Sequence, residues 1–104
     1  MTRDDAVKIV QDKLPPHELL TQLAEELTEA AQAALKLRRA AMGVNPTPVD
    51  CGQARRKLLE ELRDVGNIVE TLGLVDAVRA PGLDEYADGK MARWARRLGK
   101  TEAE

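Results

Sequence analysis

An all-α fold is expected of this chain, and three observations carry the expectation. The first is composition: fifteen Ala and fourteen Leu stand against eight Val and two Ile, with no Phe. Helices favour Ala, Leu, Glu, Lys and Arg, whereas strands favour β-branched and aromatic residues. The second is periodicity, since apolar residues recur at three- and four-residue steps along two long stretches. The third is punctuation: all five prolines fall between the periodic stretches.

The first helix is expected over residues 4–14, where Val7, Val10 and Leu14 keep helical spacing and Thr2 or Asp4 supplies a cap. Pro15 and Pro16 end it, because proline cannot donate a backbone hydrogen bond and disfavours helix in the residue before it. Pro16 can then open the second helix, where its fixed φ costs nothing. That helix is expected over 17–42, with Leu20, Leu23, Leu27, Ala31 and Ala34 as its apolar stripe and Gly43 as its stop. Residues 43–52 hold two prolines, two glycines, Asn45 and Asp50, and read as a loop.

The third helix is expected over 53–72, with a stripe of Leu58, Leu62, Val65, Val69 and Leu72. Gly73 caps it, and a short turn runs on to Val78. Pro81-Gly82 breaks the chain before a last helix over 84–98, in which Gly89 is a weak point; 101–104 reads as a frayed tail. Trp94 turns toward Met91 and Leu98 and is expected in the core.

Two long helices joined by a short loop should lie antiparallel. The 104 residues suit one domain. A chain of this size buries only roughly two-thirds of the surface its unfolded form exposes. The two flanking helices add little, so pairing with a second copy, as a homodimer or a dimer of dimers, is the expected way to complete a four-helix core.

Several functional classes are excluded at this level. No stretch approaches the roughly 18 uncharged apolar residues of a membrane span. Net charge is −2, so nothing draws the whole chain toward a nucleic-acid polymer or a membrane. Cys51 is the lone cysteine, which forbids an intrachain disulfide and fits a reducing, cytoplasmic setting. Met1 to Lys13 lacks the apolar run of a secretory signal. There is no GxxxxGK or GxGxxG phosphate loop. His17, the only histidine, sits at a helix start, and a di-iron bundle site would want Glu-x-x-His pairs.

The acids are more informative. With Leu58 at zero and about 100° per residue, the apolar arc of the third helix centres near 350° and Glu61 falls near about 300°, between Val65 and Ile68. Glu61 thus lies inside the arc, and Asp64 lies at its edge. On the second helix Glu26 borders the buried face on the Leu19/Leu37 side, with Glu29 one step further out. Each long helix therefore carries an acid pair at i, i+3 beside its packed face. Such residues are neighbours, like charges repel, and an enclosed carboxylate needs compensation. Solvation with Lys57 or Arg63 as partners is the plainer answer, and it suits the outward-pointing Glu25 and Glu60. For Glu61 a divalent cation is the economical one, and oxygen ligands without His or Cys suit Mg²⁺ or Mn²⁺.

The runs Glu25-Glu26-Leu27-Thr28-Glu29 and Glu60-Glu61-Leu62-Arg63-Asp64 resemble the paired EExxE and ExxD motifs of the MazG-like, all-α nucleoside triphosphate pyrophosphohydrolases. The resemblance spans about residues 17–98. It implies Mg²⁺ held by Glu26, Glu29, Glu61 and Asp64, with Glu25 helping to bind metal or position water. Thirty-one residues lie between Glu29 and Glu61, more than the family's usual interval, and the 43–52 loop would absorb the excess. Asn67, one turn past Asp64, could offer a further oxygen to metal or nucleotide.

From Gly89 to Lys100 there are five cations and no acid. On a helix Lys90, Arg93 and Arg97 fall within about 60° of one another. Arginine offers bidentate bonds to phosphate oxygens, and the resemblance places phosphate-binding Lys and Arg residues after the last acid motif. The expected function is Mg²⁺-dependent cleavage of a nucleoside triphosphate to monophosphate and pyrophosphate, with Glu25, Glu26 or Glu29 as the base. Two alternatives stand beside it. One is a same-fold pyrophosphatase acting on dUTP or phosphoribosyl-ATP. The other is a non-catalytic helical interaction module.

Overall fold

A computed structural model describes residues 1–43 and 50–103; most of the expected 43–52 loop, and Glu104 of the expected tail, lie outside the described residues. The described chain is all-helical, without strands: α1 (Arg3–Lys13), α2 (Pro16–Met42), α3 (Cys51–Thr71), α4 (Val75–Val78) and α5 (Pro81–Ala103). It divides into two compact units, Met1–Leu72 and Gly73–Glu104. No helix among the described residues is long and apolar enough to cross a membrane.

The helix ends follow local chemistry. Thr2 caps α1: its hydroxyl accepts from the Asp5 amide at 3.1 Å, and the Asp5 carboxylate accepts from the Thr2 amide at 3.0 Å. Leu14, ahead of Pro15, is extended (φ −117°, ψ 123°), as a residue before proline prefers. Pro16 is the first residue of α2. Gly43 takes φ 64°, and its amide returns to the Arg39 carbonyl. This left-handed stop is open to glycine at little cost.

Two helix starts move by two residues or more from their expected places. The third helix begins at Cys51, not 53, because Asp50 forms a capping box with Gln53 and draws the intervening residues into the first turn. The last helix begins at Pro81, not 84. The Ala80 carbonyl accepts from the amides of Leu83 and Asp84, and a proline in the first turn forfeits no hydrogen bond. That helix also runs unbroken through Gly89, and residues 101–103 continue it. One interior glycine costs only about 1 kcal/mol relative to alanine, and the helix-forming neighbours carry it.

In the first unit α2 packs along α3. From α2 the buried residues are Leu19, Ala30 and Ala33; from α3 they are Ala54, Glu61 and Thr71. Leu23, Glu26, Leu37, Leu58, Val65 and Ile68 are half-buried around them. The stripe expected on α2 is therefore not its packed face. Leu20 and Leu27 are 53% and 50% exposed, and Leu62 of the α3 stripe is 52% exposed. One residue rotates the face by about 100°. Helix α2 is apolar on two adjacent sides, and α3 lies against the side where Ala30 and Ala33 allow close approach. Helix α1 lies against the end of α3. There the Gln11 side-chain amide donates to the Thr71 carbonyl at 3.0 Å, and Arg3 pairs with Glu70 at 3.0 Å.

The second unit holds α4 and α5. Its large apolar residues Leu83, Tyr86, Met91 and Trp94 are all exposed. Trp94, 57% exposed, is thus not a core residue of its unit, in which α5 has only the four-residue α4 beside it.

Candidate metal centre

Glu26 and Glu29 stand one turn apart on α2, and Glu61 faces them from α3. Each offers a carboxylate oxygen, and the three oxygens lie within 4.8 Å of one another. The three differ in enclosure: Glu61 is 3% exposed, Glu26 is half-buried and Glu29 is exposed. Glu26 Oε1 accepts from the Gln22 side-chain amide at 3.1 Å. Glu61 Oε1 is paired with the Lys57 ammonium at 2.8 Å. Their second oxygens, Glu26 Oε2 and Glu61 Oε2, are buried without any hydrogen-bond partner. Buried acceptors are rarely left so, and the place of an ion is one of the few physical reasons. Two orphaned carboxylate oxygens, with a third carboxylate beside them, fit a hard divalent cation such as Mg²⁺ or Mn²⁺.

The electrostatics follow from the crowding. The Glu29 carboxyl is pushed above its ordinary value, first by the charge of Glu26 and then by that of Glu61. The Glu61 carboxyl is held below its ordinary value by the hydrogen bond from Lys57, which outweighs its desolvation, and Lys57 is raised in turn by Glu61. A carboxyl raised by folding stabilises the fold below its unfolded value and loses that contribution as pH rises through its folded value. For Glu29 the window therefore opens at about 4.5 and extends upward. Glu29→Gln removes the charge and introduces an amide donor beside Glu61. In the metal-free protein it is expected to raise the thermal midpoint at neutral pH and to leave it unchanged well below pH 4.5. Thermal melts across that range check this; equal midpoints at pH 7 would count against the crowding.

The other expected site residues are distributed as follows. Asp64 does not join the trio: it is exposed and lines a hollow with Arg56, Leu59, Glu60 and Arg63. Three residues beyond Glu61, it is turned about 60° around α3, off the packed face. Glu25 is exposed and lines a hollow with Glu29 and Gln32. Asn67 is engaged elsewhere, because its side-chain oxygen accepts from Arg3 Nη2 at 2.7 Å. Lys90, Arg93 and Arg97 belong to the second unit, exposed on α5.

Around the acids the structure gathers Lys57, expected above as a solvated partner, and three residues that sequence reasoning did not place. Gln32, Ala33, Lys36 and Lys57 join Glu29 and Glu61 around a cleft of about 360 Å³. Gln32 and Lys36 lie one and two turns past Glu29, and Lys57 lies one turn before Glu61. That reversed order along the two helices is the mark of an antiparallel pair. Helical spacing from the acids would have found all three polar residues. No protein-family model matches this chain, and no curated protein and no solved structure matches it either.

Proposed function

We propose that this chain is a divalent-metal-dependent nucleotide pyrophosphohydrolase, converting a nucleoside triphosphate and water to a monophosphate and pyrophosphate. The observation that carries the reading is the pair of buried, partnerless carboxylate oxygens on Glu26 and Glu61, beside Glu29. The paired acid motifs, which resemble those of the MazG-like enzymes, give the chemistry its class. Glu26, Glu29 and Glu61 would hold the cation, with Asp64 reaching it only after a change of side-chain conformation. A bound Mg²⁺ or Mn²⁺ supplies neutralising charge for phosphate oxygens and lowers the pKa of water.

The chain's own residues do the rest. Glu25 lies outside the trio, next to Glu29, and is free to take the proton of the attacking water. Lys36 lines the cleft and has no ion-pair partner among the described residues, so it can meet a phosphate oxygen. For Lys90, Arg93 and Arg97 the support is their common basic face on α5.

A second copy of the chain is part of the reading. Taking Leu19 as the centre of the α2 contact face, Glu29 and Lys36 lie about 80–100° to one side, and Leu20 and Leu27 about 80–100° to the other. On α3, Lys57 and Leu62 diverge from Glu61 in the same opposed senses. The cleft and the exposed leucines therefore occupy opposite sides of the helix pair. A homodimer, or a dimer of dimers, formed through the leucine side would complete a four-helix core and leave the acids open. The same exposed leucines favour the non-catalytic interaction module as the second reading.

Pyrophosphate release is the test, measured on canonical and modified nucleoside triphosphates, dUTP and phosphoribosyl-ATP, with Mg²⁺, with Mn²⁺ and with chelator. Metal-dependent release from one class is the expected result and identifies the substrate. No release from any compound, together with no metal-induced thermal shift, leaves the interaction module standing.

A further inference from the structure

Glu61 is the most enclosed acid of the cluster, with its side chain 4% exposed. One of its oxygens is buried without a hydrogen-bond partner, and the other is held by Lys57 at 2.8 Å. Lys57 itself is 61% exposed and reaches Glu61 from one turn earlier on the same helix. The enclosed carboxylate is thus served by a cation anchored in solvent. An ammonium is a compact point charge on a flexible four-carbon stem. The ammonium end of the pair is 61% exposed, so solvent competes for it, and ordering its stem costs entropy.

We propose that Lys57 is the built-in counter-cation of the acidic site, holding Glu61 in the metal-free protein and giving way when a divalent cation takes its place. The proposal rests on the metal-binding reading of Glu26, Glu29 and Glu61. A single ammonium offsets one charge among three acids and reaches one oxygen of Glu61. It leaves Glu26 Oε2 and Glu61 Oε2 unserved. A divalent cation carries twice the charge and can take those oxygens directly. Lys57 remains in the cleft afterwards, because it is one of the cleft's lining residues. It then stands beside Lys36, where the phosphates of a substrate would lie. Metal affinity is therefore set by competition with a residue of the chain itself.

The test is Mn²⁺ binding to the full, metal-free chain, followed by the paramagnetic resonance signal of free Mn²⁺. Lys57→Met is expected to bind Mn²⁺ at least about fivefold more tightly than the wild type, fivefold being the upper end for fully exposed ion pairs and this pair having one enclosed partner. Lys36→Met controls for the general field, since it removes a charge from the same cleft without touching an acid; its effect is expected to be clearly smaller. Unchanged or weaker binding in Lys57→Met overturns the proposal while the metal reading stands. Equal tightening in both variants also overturns it, because the field alone would then suffice. If neither the wild type nor any variant binds Mn²⁺, the metal reading fails and the proposal with it. Should Lys57→Met fail to fold by circular dichroism, Lys57→Gln carries the same expectation, keeping a donor for Glu61 without the charge.

Discussion

Glu61→Gln is expected to lower metal-dependent pyrophosphate release by at least about a hundredfold, since even residues that only orient metal ligands typically cost 10- to 100-fold. The substitution conserves shape. It removes the charge that faces Glu26 and Glu29 and turns one oxygen of the enclosed carboxylate into an amide donor. A cation then meets a donor where it needs an acceptor. The same variant should lose metal-induced stabilisation, which for a bound ion amounts to about 2.7 kcal/mol at a hundredfold excess over its dissociation constant. Thermal melts with and without Mg²⁺ read this independently of turnover. Retained helicity without metal would show that the loss lies in the site. Intact turnover together with an intact metal shift would remove Glu61 from the mechanism.

The second large effect concerns association. Leu62→Glu, or Leu27→Glu, is expected to weaken self-association by about a hundredfold or more. Burying a leucine stabilises by about 1.5–3 kcal/mol, and a twofold interface counts each substitution twice. Both side chains are half-exposed within the chain, so the helices themselves should survive. Sedimentation equilibrium gives the association constant and circular dichroism the helicity. An unaltered association constant in both variants would mean that the leucine side is not the contact between copies.

Much of the architecture could be read from local chemistry. The Thr2 cap, the Pro15-Pro16 break and the Gly43 stop each depend on a few adjacent residues. The enclosure of Glu61 was also legible, because angles within one helix survive errors in its ends. The packed side of α2 was not. Leu19, Ala30 and Ala33 form one apolar line and Leu20, Leu27 and Ala31 another, and only the identity of the neighbouring helix decides between them. Asn67 was lost for a similar reason. Its partner Arg3 lies 64 residues away, on a helix whose docking no local pattern specifies. The site was legible in its acids and only in part in its cations. The acids came as a motif and Lys57 lies one turn before Glu61 on the same helix, whereas Lys36 joins the cleft only because α2 and α3 run past each other in opposite directions.

The alanines at that crossing have a consequence for the chemistry. Separation between packed helices, about 8–10 Å from axis to axis, tracks the size of the side chains at the contact. Ala30, Ala33 and Ala54 are all buried where α2 meets α3, and Ala33 also lines the cleft beside the acids. Glu26 and Glu29 project from one helix and Glu61 from the other, so the span between them is whatever the alanines permit. Three uncharged methyl groups thus act as a caliper: they set the bite of the proposed metal site, in which they would take no chemical part.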